Sequence, residues 1–394
     1  MKKVLFISHE ASHTGAPIVL LRLLRWIRKN TDLEFDVFLL EDGPLKNEFE
    51  SLATVHVFRP WWKPGNTLSR ATRRFVQECR QYLGHSDTNA ILSDPQYGLI
   101  YVNAMASSEL FGHASPPKCP VIAHIHEATT TAFVLSADKG WDQLRQCTAR
   151  FIFPSDAARL GLGQVYPEIA TRSMTIPGFI EELSLSNTAR GQHRQRLGIS
   201  KDAFVIGAVG FAHPVKGFDM LPRLATILRG KSPSKNVQFV WVGANPNAEL
   251  TRWVFHDLTK LNLQDVVTII PPVTSPQEYF NCFDVLVMLS REESFPLVML
   301  EAGALGLPIV MFDQLPGPAE FIGTDAGIIV PYIDLEAMSE QIIRLANDSI
   351  LRTKIGQAAL AKVRDHYTAG VLAPKIYTEI QRLVSHSNTQ NLRG

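Results

Sequence analysis

Two carboxylates, Glu293 and Glu301, are separated by seven residues in the stretch Arg291-Glu-Glu-Ser-Phe-Pro-Leu-Val-Met-Leu-Glu301. The apolar run Val285–Ser290 just before them reads as a buried parallel strand. Pro296 suits a first helical turn and Leu297–Leu300 continues it, so Glu293 falls just ahead of a helix N-terminus and Glu301 one to two turns inside. Gly303 and Gly306 then end the helix, and Pro308–Phe312 resumes as a strand. A helix that opens from the carboxyl end of a parallel strand attracts anions through its free N–H groups and its dipole. Carboxylates there do not bind phosphate but accept hydrogen bonds from hydroxyls. The combination fits a ligand that carries both phosphate and many hydroxyl groups. Spacing alone leaves a second reading open, in which Glu293 caps the helix and Glu301 is a solvated surface acid.

Other residues carry possible chemistry. After the apolar run that ends at Gly210 comes Phe211-Ala-His-Pro-Val-Lys-Gly-Phe-Asp219, with Lys216 beside Gly217 at the opening of a helix, placed to meet a diphosphate as a point charge. A solvated lysine at a helix start is the alternative. His124-Ile-His126-Glu127 ends another apolar run, and a period of two puts both imidazoles on one face. Two such histidines can bind zinc, but no third ligand has suitable spacing, and a hydrogen-bonded interior histidine is the plainer role. Gly15, in the turn after the first apolar run, either lets the backbone approach a bound group or serves a tight turn. Paired carboxylates also suit a glycosidase. Both acids here, however, come from one loop-helix unit that also presents phosphate-binding N–H groups, which a hydrolase does not need.

The Glu293-x7-Glu301 stretch, with Ser-Phe-Pro after the first acid and Glu-Ala-x3-Gly-x-Pro at the second, resembles the nucleotide-sugar motif of the family 4 retaining glycosyltransferases, the glycosyl transferases group 1, which have the GT-B fold. The resemblance implies that Glu293 meets the hydroxyls of a donor sugar and Glu301 holds the ribose. It makes Ser294, Phe295, Pro296 and Leu297 part of the donor site, and gives Lys216 and that helix start the task of stabilising a leaving diphosphate. Lys216-Gly217 is similar to the family's Arg-x4 or x5-Lys-Gly element, except that Phe211 stands where many relatives carry arginine. His213 is the candidate to compensate.

In the first half the resemblance is architectural. It implies that His126 holds a sugar hydroxyl or orients the acceptor, with His124 and Glu127 beside it, and that the Gly15 loop faces the donor phosphate across an interdomain cleft. Pro316-Gly-Pro-Ala-Glu320 resembles a further family element. The implied reaction keeps the anomeric configuration, and with no Asp-x-Asp in the chain it is expected to be metal-independent and without a cofactor, the nucleoside-diphosphate sugar being a substrate. The acceptor is expected to be a glycan, a lipid-linked molecule or a small hydroxyl compound. Trp61-Trp-Lys-Pro and Arg70-x2-Arg73-Arg74-x5-Arg80 form an aromatic and basic patch that suits a lipid-linked acceptor or an anionic membrane surface, or is simply a solvated face. Because Phe211 replaces an arginine, a catalytically weak or inactive sugar-nucleotide or glycan-binding protein is the competing reading, and a phosphorylase or epimerase is a third.

These residues need a scaffold with loops at strand ends. Apolar runs at Val4–Ile7, Asp36–Leu40, Val55–Phe58, Leu99–Asn103, Val121–His126, Arg150–Pro154 and Met174–Pro177 alternate with amphipathic or polar segments, such as Gly15–Arg28, as in a doubly wound α/β sheet. A polar break covers Glu181–Gln195. The pattern then restarts with Phe204–Gly210, Val237–Gly243, Val266–Ile270, Val285–Leu289, Ile309–Phe312 and Gly327–Pro331. Helices are expected at Met220–Arg229, Leu335–Ala346, Leu351–His366 and Pro374–Val384. The expectation is α/β, GT-B, with two Rossmann-like domains facing a central cleft. Residues 1–180 with 372–394 would form the acceptor domain and 181–371 the donor domain.

The 394 residues suit two domains, and a formal charge of +1 with 20% charged residues gives no sign of a nucleic-acid partner. The cysteines, Cys79, Cys119, Cys147 and Cys282, have no paired spacing, so neither a zinc site nor a disulfide framework is suggested, which fits a reducing cytoplasm. The run Val4–Ile7 is too short for a signal peptide, and no segment reaches the ~20 apolar residues of a membrane span, so any membrane contact would be peripheral.

Overall fold

The computed structural model describes residues 2–58, 89–112, 114–137, 139–181, 187–231 and 236–391. The chain divides into two compact units, Met1–Pro177 with Ala369–Gly394, and Gly178–Thr368. The first holds a seven-stranded sheet. Its strands are β1 (Lys3–Ser8), β2 (Phe35–Leu39), β3 (Thr54–Val57), β4 (Tyr97–Asn103), β5 (Val121–His124), β6 (Thr148–Phe153) and β7 (Ser173–Thr175). Their order is β3-β2-β1-β4-β5-β6-β7, with parallel pairing throughout. The second unit holds β8 (Phe204–Val209), β9 (Val237–Val242), β10 (Val267–Ile270), β11 (Val285–Met288), β12 (Ile309–Phe312) and β13 (Ile328–Val330). These run β10-β9-β8-β11-β12-β13, again all parallel. Each unit is a doubly wound Rossmann-like domain, the GT-B plan.

The continuous apolar runs form strands because both sheet faces are covered. Val4, Leu5, Phe6 and Ile7 of β1 are fully buried, and so are Ile309, Val310, Met311 and Phe312 of β12. Strand order reverses between β1 and β4 in the first sheet and between β8 and β11 in the second. At such a point the connections leave toward opposite faces of the sheet, and a crevice for a ligand opens outside the carboxyl ends of the strands.

Two sequence expectations shift. The polar segment Glu181–Gln195 is not wholly irregular, since Asn187–Arg196 is a helix. Among its described side chains Arg194 is the buried one, and it donates to the carbonyls of Cys282 and Ala203 and pairs with Asp284 at 2.7 Å. A helix anchored by a buried arginine shows no apolar stripe in the sequence. The last helix begins at Ala369 and carries Pro374 inside it, rather than starting at that proline. It packs within the first unit, where Tyr377 meets Trp26 with ring centroids 6.0 Å apart and Glu379 accepts from Arg150 at 2.6 Å.

Gly207 in β8 illustrates the tightness of the second sheet. A Cβ there would lie 2.0 Å from the ring of buried Phe283, although the backbone conformation itself is ordinary strand. Gly207→Ala should therefore destabilise the protein by about 1–3 kcal/mol in denaturant unfolding, as overpacking does. An unchanged midpoint would show that Phe283 moves freely.

Candidate functional site

In the second unit the loop after β8 and the loop after β11 meet at the point where strand order reverses. Lys216 Nζ lies 2.6 Å from Glu293 Oε1, and Ser290 Oγ donates to the same oxygen at 2.7 Å. The Glu293 side chain is 9% exposed and that of Lys216 is 23% exposed, so the pair is largely shielded from solvent. The loops are also clamped together behind it. Arg291 donates to both carboxylate oxygens of Asp219, at 2.8 and 2.7 Å, and its backbone N–H donates to the Val215 carbonyl at 2.8 Å. A bidentate guanidinium fixes orientation as well as distance, and it holds the Asp219 carboxyl below the usual range. Gly217 makes the approach possible. It has φ +72°, and a Cβ there would sit 2.0 Å from the Leu289 carbonyl oxygen.

Glu301 is 3% exposed and accepts a hydrogen bond from Gln277 Nε2 at 3.1 Å, so it is a buried acid and not a solvated surface one. The helix runs Leu297–Ala304, with Pro296 at the cap position in extended conformation, one residue later than expected. Pro296 has no side-chain acceptor with which to cap it, and Oε1 of Glu293 is engaged by Lys216 and Ser290. The Phe295 and Leu297 side chains are buried, Phe295 stacking on Tyr367 with centroids 5.6 Å apart. These two residues can therefore offer a ligand their backbone and not their side chains. Ser294 is partly buried beside them.

Phe211, the departure from the resembled motif, is 54% exposed, and Lys216 Nζ lies 5.8 Å from its ring centroid. It gives the ammonium an aromatic face in place of a second cation. His213 accepts from the Val215 N–H through Nδ1 at 3.1 Å, leaving Nε2 as the nitrogen it can turn to a ligand.

In the first unit the residues brought together are His124, His126, Glu127 and, unanticipated, Asn103 and Tyr101. Asn103 closes β4 and ties three elements, since its Oδ1 lies 2.8 Å from His126 Nε2 and its Nδ2 donates to the Ala16 carbonyl at 3.0 Å. Tyr101 Oη lies 2.6 Å from Nδ1 of His124, whose ring is 3.9 Å from that of His126. Glu127 accepts from the N–H groups of Ala106 and His126, and so shapes the loop. Gly15 opens the helix Gly15–Asn30, and a Cβ there would meet nothing within 4 Å, so no steric reason demands a glycine. Arg70, Arg73 and the Trp61–Pro64 segment lie outside the described residues. No group of three or more metal-ligating side chains occurs among the described residues, and no described helix is long and apolar enough to cross a membrane. The cysteines among them are free thiols.

Two parallel Rossmann-like sheets with loops gathered at their reversal points define the class as a GT-B protein. The fold is shared over nearly the whole chain with HepE of Anabaena, solved in complex with UDP and glucose, at a TM-score of 0.79 and 19% identity, covering 97% of this chain and 100% of that one. Residues 203–348, a segment that contains Lys216, Glu293 and Glu301, match the model of the glycosyl transferases group 1. It is also 28% identical over 242 residues, 57% of this chain and 55% of the relative, to the D-inositol 3-phosphate glycosyltransferase of Kineococcus radiotolerans. Over 109 residues, 28% of this chain and 31% of the relative, it is 34% identical to the amylovoran biosynthesis glycosyltransferase AmsD of Erwinia amylovora. The matches thus span about half, or less, of the curated relatives' length.

Burial, and then the neighbouring His9, pushes the His126 imidazole down to about 3, and burial pushes that of His124 well below the ordinary histidine range. The unfolded chain therefore binds more protons than the folded one between pH ~6.5 and about 3, so stability rises with pH across that window and is lost as pH falls through it. Melting between pH 7 and 5 should show this acid loss, and His126→Gln should flatten it by up to ~1.4 kcal/mol per pH unit. An identical slope in both proteins would contradict a neutral His126.

Proposed function

We propose that the chain is a retaining glycosyltransferase that moves a sugar, a hexose or a related unit, from a nucleoside-diphosphate sugar to a hydroxyl acceptor on a glycan, a lipid-linked molecule or a small compound. The observation that carries this reading is the Lys216–Glu293 pair at the strand-order reversal of the second sheet, with buried Glu301 in the helix that follows, inside the segment that matches the family model. In this reading Lys216 and the backbone N–H groups at the start of the Leu297–Ala304 helix neutralise the leaving diphosphate, the main electrostatic task of the reaction. Glu293 accepts from the donor sugar's hydroxyls and Glu301 from the ribose. His126, neutral and fixed by Asn103, holds a hydroxyl without adding a charge.

No step requires a metal ion in this mechanism, because lysine and helix N–H groups take the developing charge. The departing diphosphate oxygen serves as base for the acceptor hydroxyl, which then attacks from the same face. Similarity to a D-inositol 3-phosphate glycosyltransferase and to a glycosyltransferase of amylovoran biosynthesis supports a polyhydroxylated acceptor, and we assign the reaction to the cytoplasm or the inner membrane face. The complex of HepE with UDP makes uridine nucleotides the first donors to test.

Phe211 supports one competing reading, a protein that binds sugar nucleotides with little turnover, since an aromatic ring cannot form the charged hydrogen bond an arginine would. Thermal-shift screening against UDP, GDP, ADP and their sugars, followed by assay of donor hydrolysis and transfer, separates the two. At 100 times Kd a true donor adds about 2.7 kcal/mol of stability. Lys216→Ala and Glu293→Ala should each lower turnover at least ~100-fold with far-UV circular dichroism unchanged. Full activity in either folded variant would refute the assignment, and binding without turnover in the wild type would favour the competing reading.

A further inference from the structure

Lys216 and Glu293 satisfy each other. The ammonium and the Ser290 hydroxyl both converge on Glu293 Oε1, at 2.6 and 2.7 Å, in a carboxylate side chain only 9% exposed. Phe211 lies 5.8 Å from the ammonium and adds no formal charge, so an approaching phosphate meets an ion pair with no net charge. A phosphate that shares the ammonium weakens its hold on a nearly buried carboxylate whose other donor is Ser290, and a buried charge that loses part of a partner is costly. A ligand with hydroxyls beside its diphosphate repairs that loss, because a hydroxyl donates to Glu293 while the phosphate accepts from Lys216.

We propose that the Lys216–Glu293 pair is an exchange element that discriminates the intact nucleoside-diphosphate sugar from the free nucleoside diphosphate, favouring donor entry and product release. The inference rests on the donor-site reading above and adds to it a competition between carboxylate and phosphate for one ammonium. Phe211 sharpens the competition, since no guanidinium at that position offers the phosphate an uncontested partner.

Calorimetric titration of the full chain with UDP and UDP-glucose, GDP and GDP-mannose, and ADP and ADP-glucose tests it. For the nucleotide that binds, the wild type should hold the sugar conjugate at least ~10-fold tighter than the free diphosphate, the scale of one hydrogen bond to a charged group. In Glu293→Gln the free diphosphate should bind about tenfold tighter than to the wild type, and the preference for the conjugate should vanish. Ser290→Ala, which removes the carboxylate's remaining donor, should move the ratio the other way by weakening the free diphosphate. An unchanged or weaker free diphosphate in folded Glu293→Gln overturns the proposal. If that variant does not fold, Ser290→Ala decides, and an unmoved ratio overturns it. Binding to the wild type with the same ratio in all three proteins defeats the exchange alone. If neither form of any nucleotide binds the wild type, the donor-site reading falls and the exchange with it.

Discussion

The 2.6 Å contact between Lys216 and Glu293 is the constraint to which the second unit is built. It requires two loops from non-consecutive strands, β8 and β11, to come within hydrogen-bonding reach, and three features secure that approach. The strands are neighbours because the sheet reverses its order there. Gly217 removes a Cβ that would overlap the Leu289 carbonyl. Arg291 bonds to Asp219 and Val215 of the opposite loop, a clamp made of fixed-geometry donors. Without all three, a flexible lysine and a carboxylate would be an exposed ion pair of little worth.

The first unit repeats the architecture with different chemistry. Its reversal point, between β1 and β4, gathers Asn103, His126 and the start of the Gly15–Asn30 helix, with imidazoles kept neutral by burial. A lysine and carboxylate at one reversal point and neutral hydrogen-bonding groups at the other suit two kinds of ligand group. The first suits a phosphate beside hydroxyls and the second an uncharged hydroxyl. This division follows from side chains, since the sheets are alike.

Much of this was legible in the sequence. Every apolar run read as a strand is one, within a residue or two at each end; in strands such as β1 and β12 burial on both faces leaves an unbroken apolar signature, while edge strand β3 is partly exposed. Glu293, Glu301 and Lys216 stood out through their spacing from those runs. The pairing of Lys216 with Glu293 did not, because nothing local joins residues 77 positions apart. Asn103 was visible only as the polar end of an apolar run, and its bonds to His126 and Ala16 depend on strand order. Gln277 and the Arg194 anchor gave no signal at all. The helix Asn187–Arg196 was passed over for the same reason, as its attachment is polar and long-range.

In the proposed function a nucleoside-diphosphate sugar sits on the β8 and β11 loops of the second unit. The most direct measurement is a crystal structure of the complex with the nucleotide sugar that gives the largest thermal shift. Diphosphate oxygens are expected within hydrogen-bonding distance of Lys216 Nζ and of the N–H groups near Leu297, with ribose hydroxyls on Glu301 and a sugar hydroxyl on Glu293. A nucleotide bound elsewhere, with the Lys216–Glu293 contact intact and Glu301 untouched, would contradict that placement.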